Sequence, residues 1–481
     1  MAKAAGITAK KSEQFSKWYT QVVLRSELAD YAPVKGCMVF RGYSYAIWEQ
    51  IQKYFDERIK ATGHKNVYFP VFIPERFLKK EAKHFQGFVP ECAWVTIGGE
   101  RKLKERLAVR PTSETIIYTM FRKWIRSWRD LPLKLNQLCN IVRWETKATK
   151  LFLRTREFLW QEGHTAHATF EEADQEVMNI LNIYRDLVEN LLAIPVIIGK
   201  KSELEKFAGA LYTAALETLM PDGKALQMGT SHNLGQNFSK AFKIQFVGED
   251  EQKRYAWTTS WGITTRLIGA IVMVHGDDRG LVLPPEIAPY KAVVIPIFYK
   301  EVERDVILNK ARKVAEKLNQ KGITTIIDDR TEYTPGWKFN EWELKGVPIR
   351  IEVGPKDVAN KQVVAARRDT FERVAVKDEQ LVSAISEMLV SVQRNLFNRA
   401  KRFLETNITP VKSYREFKKA LKRRRGFLKA CWCSSEECEE RVKEETGAAI
   451  SLIPFEKEKP FSDCVYCGNN AEEVVLFAKT Y

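Results

Sequence analysis

Four cysteines near the end of the chain, Cys433, Cys438, Cys464 and Cys467, form two close pairs separated by a loop. Such spacing lets four soft ligands converge tetrahedrally on one zinc ion, whatever the length of the intervening loop. Their clustering supports this reading. Cys37, Cys92 and Cys139 are scattered, whereas five of the eight cysteines fall at or after Cys431. Cys431 is close enough in sequence to exchange with Cys433 as a ligand, and Cys464-Val465-Tyr466-Cys467 is the firmer half. The competing reading is four unrelated reduced thiols. A closed four-thiolate site staples a fold and keeps no coordination position open, so catalysis must be sought elsewhere.

A second constellation is built on arginine. Arg143-Trp144-Glu145 ends one strand-like run, and Arg154-Thr155-Arg156-Glu157-Phe158 opens the next. A strand, a turn and a returning strand put Arg143 and the stretch Phe158 to His164 on one sheet, facing a common pocket. Arg279 arrives from a much later segment. Two arginines from separate elements are what an ATP site without a P-loop needs, one on the α-phosphate and one on the tail. Taken singly, each reads as a surface arginine paired with a carboxylate. Rival nucleotide motifs are missing: Gly199-Lys200-Lys201-Ser202 resembles the end of a Walker A loop without its early glycine, and no glycine-rich dinucleotide turn precedes a helix.

The elements that must position these residues fall into three segments. The chain of 481 residues exceeds one hydrophobic core. Residues 1–285 mix helices and short strands. Ile47, Ile51, Phe55 and Ile59 stripe one face of a helix from Ser44 to Lys60, Val67 to Ile73 reads as a strand interrupted by Pro70, Leu138 to Trp144 and Phe158 to Thr169 read as strands, and Gly269 to His275 reads as a buried helix. After Leu283-Pro284-Pro285 the pattern changes. Strands at Lys291–Tyr299, Ile323–Asp328 and Val347–Val353 alternate with helices at Glu301–Gln320 and Phe339–Lys345, an α/β module over residues 286–395. Residues 396–481 bring a basic helix, with Lys418-Lys419 and Lys422-Arg423-Arg424-Arg425, and then the cysteine cluster. Lys plus Arg exceed Asp plus Glu by 77 to 61, a net +16 that favours a polyanionic partner or a solvated basic surface. There is no apolar run long enough to span a membrane and no secretory leader, which predicts the cytosol.

At this level of detail the residues resemble the class II aminoacyl-tRNA synthetases. Pro70 resembles their motif 1, Arg143-Trp144-Glu145 with Arg154-Thr155 motif 2, and Gly269 to Pro285 with Arg279 motif 3. Within the class the chain is similar to the prolyl-tRNA synthetases of archaeal and eukaryotic type. The similarity lies in Arg110-Pro111-Thr112-Ser113-Glu114-Thr115, Phe158 through His167, Gly229-Thr230-Ser231-His232, Thr259-Ser260-Trp261-Gly262, Trp342 through Pro348 and the C-terminal cysteine spacing.

That resemblance implies an antiparallel-sheet catalytic domain flanked by helices, an α/β anticodon-binding domain and a small α+β zinc-binding domain, in a homodimeric cytoplasmic enzyme. The implied reaction converts L-proline and ATP, with magnesium present, to prolyl-adenylate and pyrophosphate, then transfers proline to the 3' end of tRNA(Pro). Arg143 would hold the substrate carboxylate and the α-phosphate; Glu145, Phe152, Arg154, Thr155, Gln227, Thr230 and Thr264 would hold the rest of ATP, with Arg279 on the tail. Thr112 and Glu114 would accept from the two N–H groups of the imino acid, and Trp160, Glu162, His164, His232 and Gly262 would wall its ring. Glu343, Arg350 and Lys356 would read anticodon guanines, and Tyr481 would plug or order the pocket. His164 and His167, three apart on a strand, point to opposite faces and so do not make a metal site. The interval between motifs 2 and 3 is too short for a large editing insertion. The alternatives are a synthetase for threonine, serine or glycine, and a non-catalytic tRNA-binding paralogue.

Overall fold

The computed structural model describes residues 6–84, 91–145, 148–298, 301–423 and 426–481; Tyr299, Arg424 and Arg425 lie outside them. The first segment builds a sheet from β1 (Leu133–Val142), β2 (Glu157–His167), β3 (Ile197–Lys200), β4 (Tyr212–Leu219), β5 (Ala225–Gly235) and β6 (Trp257–Thr264). Their order is β3-β4-β5-β6-β2-β1, and each of these pairs is antiparallel. Helices α1 (Gly42–Ala61), α2 (Glu114–Trp124), α3 (Phe170–Asp186) and α4 (Arg266–His275) surround it.

One face of this sheet is the core. The stripe Ile47, Ile51, Phe55 and Ile59 is at most 1% exposed and packs with Tyr184 and Trp261. Trp261 sits on Gly163 of the neighbouring strand, where an added Cβ would fall 1.9 Å from the indole ring, so only glycine seats it. Period-two alternation then leaves the opposite face to Trp160, Glu162 and His164.

The strand expected over Val67 to Ile73 is absent as a continuous element. Lys65–Asn66 pairs with β1 and Phe72–Pro74 belongs to another sheet, with Pro70 between them. Proline cannot donate to a ladder, and side chains satisfy the adjacent backbone: Phe69 N–H donates to Gln137 and the Phe69 carbonyl accepts from Arg110 at 2.8 Å.

The second segment contains β7 (Ala292–Pro296), α5 (Glu301–Asn319), β8 (Thr325–Ile327), α6 (Pro335–Leu344), β9 (Ile349–Val353), β10 (Gln362–Arg367) and β11 (Arg373–Lys377), in sheet order β8-β7-β9-β10-β11. The first three in that order are parallel, as expected where helices link strands. The division expected at residue 396 falls inside one continuous helix, α7 (Leu381–Thr406). Its Ile385, Leu389, Val392 and Leu396 complete the core of this module, while Leu404 packs with Leu219 and Phe427.

The last segment holds β12 (Ile408–Pro410), α8 (Tyr414–Arg423), β13 (Phe427–Trp432), α9 (Glu436–Thr446), β14 (Ala449–Pro454) and β15 (Glu473–Ala478). It does not stand apart. β14 pairs with β3 through Ile453↔Lys200 and Pro454↔Gly199, extending the first sheet to eleven strands. Gly199 permits the junction, since a Cβ there would lie 2.4 Å from the Ile453 carbonyl oxygen. Among the described residues no helix is long and apolar enough to cross a membrane.

Candidate active site

The polar face of the first sheet forms the floor of a cleft of ≈ 420 Å³. Arg143 follows the end of β1, where its N–H donates to the Arg156 carbonyl at 2.8 Å and so carries the strand pairing one residue further. Its Nε donates to the Pro111 carbonyl at 3.0 Å. The side chain is open to solvent through the mouth of the cleft. Protein atoms crowd it from the sides, and that loss of hydration lowers its pKa against the pull of Glu114, Glu145 and Glu162.

Three arginines line the cleft, Arg143, Arg154 and Arg266, and the last is one the sequence analysis missed. Arg266 occupies the first turn of α4, where its N–H donates to Thr264 Oγ1 at 3.1 Å. Its guanidinium reaches back over the sheet to the carbonyls of Gln227 and Leu153, at 3.4 and 3.5 Å. Burial, with Arg143 and Arg154 nearby, lowers its pKa to about 10. The described residues give neither Arg143 nor Arg266 a carboxylate within 4.0 Å. A signal for Arg266 was present in the sequence: α4 is apolar almost throughout, so the one cation in its first turn has to face something polar or wet.

Arg279, assigned to the ATP tail on sequence grounds, is not in the cleft. Past Gly276 the chain leaves α4 and crosses to the second module, with Leu281 N–H donating to the Leu344 carbonyl at 3.0 Å. Gly280, at φ +134°, brings the two backbones so close that a Cβ would lie 2.7 Å from the Leu344 oxygen. Arg279 therefore pairs with Glu343 at 3.1 Å and stacks 4.1 Å from the Phe371 ring centre.

The other expected residues do meet in the cleft. Thr112, Glu114, Trp160, Glu162, His164, His232 and Gly262 line one part, and Glu145, Phe152, Arg154, Thr155, Gln227, Thr230 and Thr264 another. Glu114 opens α2, and the Thr112 hydroxyl donates to its carboxylate. Arg110 anchors this corner, donating to the Phe69 and Asn140 carbonyls, both at 2.8 Å. Glu162 is fully committed: Oε1 accepts from Ser113 at 2.5 Å and Gln137 at 2.8 Å, and Oε2 lies 3.0 Å from His164 Nε2. Burial opposes charge on both members of that pair, yet their mutual attraction prevails, lowering Glu162 and raising His164. His232 has no such partner, and burial lowers it to about 3, leaving a neutral ring. Its Nδ1 lies 2.8 Å from the Thr213 hydroxyl. Phe152 sits at φ 61° on the turn between β1 and β2. Gly269 of α4 makes room for that turn, since a Cβ would meet Leu153 at 2.7 Å. Glu205 and Phe207 also line the cleft, and both escaped the sequence analysis.

Glu343 and Arg350 face a second, smaller pocket of ≈ 180 Å³, together with Arg279 and Arg368. Glu343 bonds Arg350 at 2.7 Å as well as Arg279. Lys356 lies on the short helix Pro355–Ala359 and does not line that pocket. Tyr481 is docked rather than frayed: its hydroxyl donates to Asp222 at 2.8 Å, and Lys150 and Lys224 approach its ring. It does not line the cleft.

The cysteines converge as expected. The sulfurs of Cys433, Cys438, Cys464 and Cys467 lie within 4.8 Å of one another, and Cys433 is 3.7 Å from both Cys438 and Cys467. Tetrahedral zinc–thiolate bonds of ~2.3 Å require sulfur separations of about 3.8 Å, so the set fits zinc. Cys431 is excluded from it: buried on β13, it accepts from Phe461 N–H at 3.3 Å.

Comparison with known proteins covers the same three parts of the chain. Residues 94–275 match the tRNA synthetase class II core domain (G, H, P, S and T), residues 291–388 an anticodon binding domain, and residues 414–481 the prolyl-tRNA synthetase C-terminal family. A Proline--tRNA ligase of Natranaerobius thermophilus is 53% identical over 98% of this chain and 97% of its own length. One from Alkaliphilus oremlandii is 54% identical over 97% of this chain and 96% of its own. Proline--tRNA ligase 2 of Clostridioides difficile is 51% identical over 98% and 97%.

Proposed function

The chain belongs to the prolyl-tRNA synthetases of class II, and on that premise we propose that its cleft condenses proline with ATP and then passes the prolyl group to the end of tRNA(Pro). The observation that carries this is the pair of guanidinium groups, Arg143 and Arg266, facing one cleft with no carboxylate within 4.0 Å among the described residues. Two such cations need an anion, and a triphosphate entering as its magnesium complex supplies one.

In this reading Arg143 bridges the proline carboxylate and the α-phosphate. Attack of the carboxylate oxygen on the α-phosphorus breaks the bond to the β-phosphate and releases pyrophosphate; charge accumulates on the equatorial oxygens on the way, and a guanidinium already fixed by the Pro111 carbonyl stabilises it without reorganising. Arg266 takes the tail role that Arg279 cannot fill. Phe152 stacks on adenine, while Glu145, Arg154, Thr155, Gln227, Thr230 and Thr264 hold base, ribose and phosphates. At the other end Thr112 and Glu114 accept from the secondary ammonium, and Trp160, Glu162, His164, His232 and Gly262 enclose the ring. Gly262 stands opposite Glu162 on the adjacent strand, and keeps that wall clear of a side chain. A zinc ion on Cys433, Cys438, Cys464 and Cys467 would fill its coordination sphere with protein and serve structure alone. Glu343 and Arg350, with Lys356 approaching from another side, would contact anticodon bases and phosphates. A homodimer in the cytoplasm completes the reading.

Pyrophosphate exchange with single amino acids tests it. Proline should drive exchange, while threonine, serine and glycine should not; exchange driven by one of those three, or by none, overturns the assignment. Alanine should be activated measurably, since each missing methylene is worth only about 1–3 kcal/mol. With no editing insertion, alanyl-tRNA(Pro) should persist in the presence of the pure enzyme, and its rapid hydrolysis would show otherwise.

A further inference from the structure

The C-terminal segment reaches one wall of the cleft indirectly, through the loop between β3 and β4. The loop from Lys201 to Leu211 connects β3 to β4 and presents Glu205 and Phe207 to the cleft. Phe207 lies with its ring centre 4.8 Å from that of His232. Its N–H donates to Thr213 Oγ1 at 2.9 Å, the same hydroxyl that meets His232 Nδ1.

Helix α9 sits behind this loop. It carries the cysteine-cluster member Cys438, and the next residue, Glu439, accepts from the Ser202 hydroxyl at 2.6 Å. Both partners are buried, at 1% and 2% exposure, so water cannot replace the bond. One turn later Lys443 pairs with Glu205 at 2.6 Å. Beside them, β14 grips the loop's entry: Lys201 donates to the Ser451 carbonyl at 2.8 Å, and Glu217 accepts from both Lys201 and the Ser451 hydroxyl. Glu217 in turn attracts Arg266.

We infer that the cysteine-bearing C-terminal segment is a clamp on the amino-acid side of the cleft, in which Glu439 and Lys443 act as positioning residues that hold the loop 201–211 against His232. This rests on the assignment of that side of the cleft to proline. The coupling is directional at α9: that helix reaches the loop bearing Glu205 and Phe207, whereas the turn bearing Phe152 and Arg154 is held by Arg266 and Gly269 of α4 and by Tyr19, and meets the C-terminal segment at Tyr481 instead.

Steady-state exchange kinetics on Glu439→Ala, Glu439→Gln and Lys443→Met test the clamp. Removing the buried acceptor should raise KM for proline about 5- to 10-fold, with KM for ATP unchanged. Glu439→Gln keeps an acceptor for Ser202 and should restore most of the loss. Lys443→Met, breaking a part-exposed pair, should give a smaller rise of about 2- to 5-fold. A rise common to both substrates, or none, overturns the clamp. Amide hydrogen exchange gives a readout independent of activity: relative to the untreated parent, Glu439→Ala and parent protein dialysed against a chelator should both speed exchange across 201–211 by a larger factor than across 225–235. An unchanged rate across 201–211, or the same factor in both stretches, overturns the clamp even where proline activation is intact. If the parent gives no proline-dependent exchange, the functional reading fails, and the amide data still decide whether α9 holds the loop.

Discussion

Arginines surround two pockets of this molecule, and they are treated in opposite ways. Around the smaller pocket each one has a carboxylate: Arg279 and Arg350 on Glu343, Arg367 on Asp369, Arg368 on Asp277, Arg373 on Glu352. In the cleft, Arg143 and Arg266 have carbonyl oxygens instead. Taking a cation out of water costs several kcal/mol unless an opposite charge offsets it. The second module offsets that cost internally and gains rigidity. The cleft leaves it standing, and the depressed pKa of Arg266 is the mark of that stored cost. An arginine without a carboxylate partner is therefore a better guide to a ligand site than an arginine in a recognisable stretch of sequence.

The sharpest way to break this contrast is to exchange the roles of Arg266 and Arg279. Arg143→Ala and Arg266→Ala should each cut proline-dependent pyrophosphate exchange by about 10²- to 10³-fold, the usual consequence of losing a donor to transition-state charge. Arg279→Ala, which removes an exposed pair with Glu343, should stay within about 5-fold of the parent. A large loss from Arg279→Ala together with a small one from Arg266→Ala would reverse the assignment.

A second test separates the two pockets by substrate. Glu343→Gln leaves the cleft untouched, so exchange should match the parent, while tRNA charging should fall about 10- to 100-fold if the pocket reads a base edge. Glu343 also holds Arg350 and Arg279, so melting temperature has to be followed alongside. Loss of exchange and charging in equal measure would mean that the second pocket supports the cleft rather than the nucleic acid.

Much of this arrangement was legible beforehand because local rules and tertiary demands agree. The stripe from Ile47 to Ile59, the alternation along β2 and the two cysteine pairs each have one low-energy way to be satisfied, and the structure adopts it. What was not legible depends on where the chain goes after an element ends. Arg266 opens α4 and Arg279 follows its end, and sequence spacing alone does not say that the chain turns away at Gly276. Pro70 marked an interruption correctly, but not that Arg110 and Gln137 would take over the backbone bonds. The docking of β14 on β3, and with it the wall residues Glu205 and Phe207, depends on contacts between positions some 250 apart, such as Lys201 and Ser451. No periodicity reports those.

The smallest test uses two histidines of one strand, where pairing again decides charge. His164 faces the cleft with Glu162 at 3.0 Å and is raised. His167, on the opposite face, meets the Thr165 hydroxyl at 2.7 Å. Burial lowers it to about 4, with Lys134 and His64 opposing the attraction of Glu176. The two make opposite contributions to stability. A folded-state value below the ordinary ~6.5 means that the unfolded chain takes up the proton first. The contribution of His167 is therefore complete above that value and is lost as the pH falls toward 4. For His164 the raised value means that stability is present below ~6.5 and is lost as the pH rises through the folded-state value. Between pH 7.5 and 5.5 a single histidine of the first kind accounts for about 1.4 kcal/mol. Unfolding free energies from urea titration of the zinc-loaded parent and of His167→Gln at those two pH values should therefore show the parent losing about 1.4 kcal/mol more than the variant on going from pH 7.5 to 5.5. A variant as acid-sensitive as the parent would mean that His167 is charged in the folded protein, and that the face of β2 opposite the cleft, too, holds its cations by pairing.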